Sequence, residues 1–297
     1  MYSLACVLDH PEPIYGATAM ELGALALGLL AAFALGIADF SGGAAARSSE
    51  PGAVAAWTWG TVGVAGLVIA PLGVEPFRPA VIWWGLLGGV LAAVGTTALF
   101  YGLANGRIAV VAPLSAVTGA SVPVLIDAMG GSSFSTVVLG GIVLALVGVV
   151  LTTWSKGDAG GSTALSVTTG LVAGVALALL FVVTAATLDD GMWVIGPVGL
   201  STFGALTIAS LWTRRPMRLR NRALGWTAVS AIGTTIAYTS FLLSAAASSF
   251  GLAAVVTALY PAITVLAAVI IWHERPAMVQ RFGLAIIVAA IALLGGG

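Results

Sequence analysis

Apolar residues in this chain fall neither at the alternating spacing of a strand nor on a single helical stripe. They come in runs of about twenty, each closed by charged residues or a Pro/Gly-rich break. Ten runs can be delimited: Leu22 to Ala45, Ala53 to Leu72, Ala80 to Leu103, Ile108 to Ala128, Phe134 to Trp154, Leu165 to Leu188, Trp193 to Trp212, Ala223 to Ala247, Phe250 to Trp272 and Val279 to Leu294. In hydrocarbon such runs satisfy their own backbone only as helices, and they are too long for barrel strands of about ten residues. The predicted fold is an all-α polytopic membrane protein of ten transmembrane helices. Between the eighth and ninth runs only Ser248 and Ser249 intervene, which predicts an antiparallel helical hairpin.

Composition excludes most alternatives. Of 297 residues, 60% are hydrophobic and 7% charged, against roughly 25% charged in a soluble domain. Zero net charge excludes a nucleic-acid partner, which needs a concentrated basic face. Cys6, His10 and His273 provide neither a disulfide framework nor a metal cage, so no metal is expected. There is no P-loop and no Ser/His/Asp arrangement, so neither an enzyme nor a cofactor is expected.

The few charges set an orientation. Arg47, Arg107, Lys156, Arg214, Arg215, Arg218, Arg220, Arg222, Arg275 and Arg281 follow odd-numbered runs, whereas Arg78 alone follows an even one, where Asp189 and Asp190 also lie. Cationic loops stay cytoplasmic, which places both termini outside a plasma (inner) membrane. The cluster Arg214 to Arg222 reads as an anchor beside anionic lipid headgroups. Residues 1–19 carry no basic residue of the kind a secretory signal needs, and read as a tail ahead of Met20.

An internal repeat sits at the third and eighth runs. Gly95-Thr96-Thr97 recurs as Gly233-Thr234-Thr235, and Pro123 and Pro261 follow each glycine at the same interval, so one offset of 138 (233 − 95 and 261 − 123) spans two runs. Five runs separate the copies, and five is odd, so the second half is inverted: residues 20–157 and 158–297 form an inverted 5+5 structural repeat.

In this order the chain resembles the drug/metabolite transporter (DMT) superfamily, in its ten-span form of two EamA-type repeats. The resemblance is carried by Leu259-Tyr260-Pro261, Trp272-His273-Glu274-Arg275 and Phe282-Gly283-Leu284, and in the first half by Val111-Ala112-Pro113-Leu114-Ser115 up to Pro123. Two features depart from it: Met129 to Ser133 replaces the acidic turn represented later by Glu274, and the aromatic-glycine pair of the first span reads Leu35-Gly36. The resemblance implies a transporter with its termini inside, opposite to the charge count.

An ionisable residue in hydrocarbon is costly and is by default a functional candidate. Asp39 is the main one, about 12 Å inside the Arg47 end of its span. It has the chemistry to pair with a substrate ammonium group or to take up and release a coupling proton; alternatively Ser41, backbone amides or Arg107 satisfy it. Asp127 and the Glu274-Arg275 pair read as end caps and turn formers. Hydroxyl-bearing faces recur at helical spacing: Thr97 with Tyr101, Thr234 and Thr235 with Tyr238, Ser115 with Thr118, and Thr257 with Tyr260. They line a cavity, or else bond neighbouring helices. Pro123 and Pro261 are the candidate hinges. Gly141, Ala145 and Gly148 permit close packing within a monomer or in a homodimer, and Trp154, Trp193, Trp212, Trp272, Trp57, Trp59, Trp83 and Trp84 read as interfacial anchors.

The expected function is secondary transport of a small-molecule solute by alternating access, with proton-coupled export of an amino acid or similar metabolite foremost. Import of an organic cation is the alternative, and an intramembrane enzyme or lipid-handling scaffold the reading from another class. Membrane lipids and protons are the other expected partners.

Overall fold

The computed structural model describes residues 17–73, 75–106, 111–112, 114–116, 118–119, 136–153, 162–248, 250–264, 267 and 278–296. These are helical apart from short connections, with no strand among the described residues. The helices are α1 (Ala17–Ala46), α2 (Pro51–Ile69, continued by a 3-10 turn, Ala70–Leu72), α3 (Ala80–Asn105), the helical residues 111–112, 114–116 and 118–119 taken as α4, α5 (Thr136–Thr153), α6 (Thr163–Ala185), α7 (Ile195–Thr213), α8 (Asn221–Ala247), α9 (Phe250–Thr257) and α10 (Met278–Gly296). Among the described residues, six helical stretches are long and apolar enough to cross a membrane. Their outer surfaces are apolar too: Val64, Val68, Val90 and Val94 are all exposed, as suits contact with lipid rather than water.

Starts and stops follow local chemistry. Pro51 occupies the first turn of α2, where a missing amide costs nothing, and Ser162 caps α6 by accepting the Leu165 amide. The break predicted between the eighth and ninth runs is present: Ser248 leaves helical geometry (φ −143°), Phe250 begins α9, and the two helices are in contact. The α9 run then breaks. Helix ends at Thr257, Ala258 and Leu259 form a turn, and helix resumes over residues 260–264. Pro261 explains the break, because it has no amide to donate to the Thr257 carbonyl. The turn tightens instead, with Leu259 N bonding Val256 O and Ala262 N bonding Leu259 O.

The helices pack in a defined set of pairs. α1 lies against α8, α3 against α6, α2 against α7, α5 against α10, α3 against α7, α2 against α8 and α1 against α9. Residues 114, 115 and 118 of α4 meet α6 at Gly170 and Gly174. Running directions can be read from the contacts. Gly60, Gly63 and Gly66 of α2 face Phe203, Leu200 and Gly196 of α7 in reverse order, so these helices are antiparallel. Their crossing brings main chain onto main chain: a Cβ on Gly199 would lie 2.4 Å from Gly63 Cα, which only glycine permits.

At each end of α2 the chain is tied to the α7 side. At one end Arg215 Nη1 donates to Glu50 Oε1 (2.6 Å) and the Trp57 indole donates to Met217 O (3.0 Å). At the other, Arg78 Nε donates to Asp190 Oδ1 (2.5 Å) and the Trp193 indole donates to Glu75 O (2.9 Å), with the Phe77 and Trp193 rings edge-on at 5.2 Å. Residues 51–72 span roughly 33 Å at 1.5 Å per residue, which separates the ties by about the thickness of a bilayer core.

Candidate functional site

Seven of these helices, α1 to α4, α6, α8 and α9, enclose a cavity of about 100 Å³. That exceeds the space of one water several-fold and is of the order of an engineered lysozyme cavity that holds benzene. Among the described residues, α5, α7 and α10 contribute nothing to its wall.

The close approach of α1 to the broken α9 positions its acidic residue. A Cβ on Gly36 would sit 2.6 Å from Tyr260 O, so the glycine lets α1 lie directly on the break, and Thr264 Oγ1 donates to Gly36 O (3.1 Å). One turn on, Asp39 is buried at 7% exposure and lines the cavity. Among the described residues no side chain or amide bonds its carboxylate. The satisfying partner considered at Ser41 is excluded, because that hydroxyl donates to Ile37 O instead (2.7 Å). Arg107, the other, lies outside the described residues.

Asp39 also borders a second, smaller space of about 20 Å³, lined with Phe40, Gly43, Leu103, Thr264 and Arg47. It reaches the last turn of α1, at the Arg-rich end, and has room for about one water molecule.

In the remaining polar wall, Ser115, Tyr260, Tyr238 and Thr234 have their protons committed to protein oxygens. Ser115 Oγ donates to Ala112 O (3.0 Å) and lies 3.2 Å from Tyr260 OH; a hydroxyl has one proton, so Tyr260 is the donor to Ser115. By the same logic Tyr238 donates to Thr184 Oγ1 (3.0 Å), whose own proton goes to Leu180 O (2.9 Å). Thr234 donates to Ser230 O (2.8 Å), and the Trp59 indole donates to Thr96 Oγ1 (2.8 Å). Thr257 Oγ1 is buried with no partner among the described residues. Trp59 and Tyr238 meet edge-on at 5.8 Å, and Phe181 and Phe241 at 4.8 Å extend an aromatic wall.

Of the residues singled out from sequence, Asp39, Ser115, Tyr238, Thr257 and Tyr260 come together around the cavity. Thr97, Tyr101, Thr118 and Thr235 do not line it. Thr118 and Thr235 bond carbonyls of their own helices, Leu114 O and Ala231 O; Tyr101 is 40% exposed; Thr97 is an orphaned hydroxyl elsewhere. Each Gly-Thr-Thr motif places its first threonine, Thr96 or Thr234, in the wall. Its glycine sits at a helix crossing, Gly95 against Leu177 and Gly233 against Ala38. Trp59 is no interfacial anchor: it is 5% exposed and part of the cavity wall. Trp212, Trp83 and Trp57 are exposed as anchors should be. Pro261 lies at the α9 break, while Pro123, Asp127, Glu274 and Arg275 fall outside the described residues.

Asp39 is thus a buried carboxylate in the wall of a cavity between apolar helices. Residues 164–296 match the EamA-like transporter family. A protein of known crystal structure aligns over 94% of this chain and 98% of its own, with a TM-score of 0.72 at 16% identity, a likeness of fold. No curated protein matches the sequence. Together with the six long apolar helices among the described residues, the EamA match supports a multi-pass membrane protein in which residues 164–296 are similar to a transporter family.

Proposed function

We propose that the protein is a secondary active transporter of the DMT superfamily. On this reading it exports a small solute, of amino-acid size or less, in exchange for protons across the plasma membrane. The observation that carries the coupling is the place of Asp39, shared between the central cavity and the water-sized space that reaches Arg47. One carboxylate is thus within reach of both a solute and a proton arriving from the Arg-rich face, which the charge rule makes cytoplasmic.

Helix pairing supports ten spans in two inverted halves. Exchanging α1 to α5 for α6 to α10 turns α1·α8 into α6·α3, α3·α7 into α8·α2 and α1·α9 into α6·α4, and leaves α2·α7 and α5·α10 unchanged, so the most extensive pairs map onto one another, although α1·α2, α1·α3 and α2·α3 have no matching pair in the second half. Directions agree with alternate crossing. Ser244 donates to Ala24 O near one end of the α1–α8 pair while Gly233 meets Ala38 towards the other, an antiparallel pair, as odd and even spans require. The matched ties at the two ends of α2 supply what alternating access needs, a closure on each side that can be released separately. Pro261, at the break in α9, serves as a hinge.

Reconstitution tests the proposal. Proteoliposomes holding a pH-sensitive dye and a panel of small amines and amino acids should show solute movement coupled to proton counterflow. Asp39→Asn should lose the coupling while remaining folded. Coupled transport of undiminished rate in that variant refutes the assignment of Asp39.

A further inference from the structure

We propose that the connection between α7 and α8, with the first turn of α8, is a binding site for the headgroup of an anionic phospholipid. It lies at the end of α2 away from the Arg78–Asp190 tie, and it stands whichever solute crosses. Five arginines fall between positions 214 and 222: Arg214, Arg215, Arg218, Arg220 and Arg222. Arg215 is paired with Glu50. The other four are exposed and have no carboxylate partner among the described residues.

The connection is held as a strap by bonds that leave these guanidinium groups free. The Trp57 indole donates to Met217 O (3.0 Å), the Arg220 amide donates to Ser49 Oγ (3.0 Å), and Ser210 Oγ donates to Arg215 O (2.7 Å). Met217 and Leu219 are half-buried, Leu219 against core residues, so Arg218 and Arg220, which alternate with them, stand outward. Two of the arginines occupy places that local structure disfavours. Arg214 has φ 53°, in the left-handed region where glycine is usual at a helix end, and among the described residues no other side chain is placed there. Arg222 lies in the first turn of α8, where the helix dipole opposes a cation and no acidic residue offsets it. Charges kept in such places without an internal counter-ion call for an external anion.

Depth decides which anion that is. Leu211 and Trp212, in the last turn of α7, are 72% and 87% exposed, and Leu224 and Trp226 at the start of α8 are exposed as well. Apolar side chains on both flanks set the strap where hydrocarbon gives way to headgroups. The anion at that level is the lipid phosphate, whose oxygens fit the planar donor fork of a guanidinium. A headgroup without a cation of its own, as in phosphatidylglycerol, leaves its phosphate to be neutralised by the protein. Phosphatidylcholine brings its own ammonium group and gains far less.

The test titrates the full chain, in a neutral detergent, with phosphatidylglycerol and phosphatidylcholine of identical acyl chains. Bound lipid is counted by native mass spectrometry and the unfolding temperature is followed in parallel. Phosphatidylglycerol should bind more tightly by roughly 100-fold or more, at about fivefold per arginine, and should raise the unfolding temperature where phosphatidylcholine does not. Arg218→Gln with Arg220→Gln should cut that preference by roughly 25-fold. Glu50→Gln releases Arg215 to the lipid and should strengthen the preference by about fivefold, a gain that misfolding cannot imitate. Equal binding of the two lipids overturns the proposal. A preference that survives the double substitution and ignores Glu50→Gln removes the site from this strap. Inorganic phosphate that reproduces the whole thermal shift overturns the lipid assignment in favour of a free-anion site.

Discussion

Arg78 and Asp190, 112 positions apart in sequence, meet at 2.5 Å between Nε and Oδ1, and the two partners are unequally wet: the Asp190 side chain is 7% exposed and that of Arg78 46%. The cost of breaking such a pair falls on the buried partner. Arg78→Gln strands the Asp190 carboxylate out of water and should destabilise by about 1–3 kcal/mol, read as a lowered unfolding temperature in detergent. Arg78→Gln with Asp190→Asn should recover part of the loss. No recovery would place the effect outside the pair.

At the other end of α2 the Arg215–Glu50 pair is open to solvent, with the Arg215 side chain 63% exposed. The hydrogen bond to Glu50 and the charge behind it hold the Arg215 guanidinium even more firmly protonated than usual. The tie should respond to salt. Glu50→Gln should change stability less than Arg78→Gln, and that small difference should fade as ionic strength rises, because exposed pairs are screened.

Within the repeated Gly-Thr-Thr motifs the two threonines should separate. Thr96→Val orphans the buried Trp59 N–H and alters the cavity wall, so solute exchange should fall several-fold and stability by about 1–3 kcal/mol. Thr234→Val should lower exchange with a smaller stability cost, since its hydroxyl bonds only its own helix. Thr235→Val should leave exchange within about twofold of wild type, as expected of an isosteric change away from the site. Equal effects at Thr234 and Thr235 would argue against this cavity as the solute path.

Tyr260→Phe removes the hydrogen bond to Ser115 that joins α9 to α4. The stability change should be small, roughly 0.6 kcal/mol, the mean worth of such bonds between membrane helices. Solute affinity should drop by more than that bond accounts for, because Tyr260 also lines the cavity; titration of the thermal shift with a transported solute measures it.

Pro261→Ala returns an amide to the Thr257 carbonyl and invites α9 to run on as a continuous helix. Unfolding temperature should hold or rise while the rate of exchange falls, and amide hydrogen exchange around residues 256–262 should slow. Loss of both stability and rate would make the break a packing requirement rather than a hinge.

Much of this was legible in the sequence because hydrocarbon is a strict solvent. Asp39 stood out since a charge in a long apolar run has few benign explanations, and the break in α9 followed from Pro261. Choosing between Thr96 and Thr97, or Thr234 and Thr235, was another matter. Adjacent helical residues differ by about 100° of rotation, and only the neighbouring helices decide which of them faces inward. Trp59 was misread for the same reason: a tryptophan two residues from an exposed one looks like an interfacial anchor until α3 supplies the Thr96 hydroxyl. Arg78 and Asp190 could be counted as charges on one face, but their pairing is tertiary and left no mark in local spacing.

The contact of Gly63 with Gly199 lies near the middle of α2, between the two ties. Main chains touching there leave no soft side chain to compress, so the crossing behaves as a fulcrum: splaying α2 from α7 at one end presses them together at the other. On the transporter reading proposed above, opening one face would tighten the opposite tie, so a leak with both ends open at once would be opposed by leverage alone. A bulkier residue at either glycine would act on the pivot itself, and its effect would be felt at both faces of the membrane.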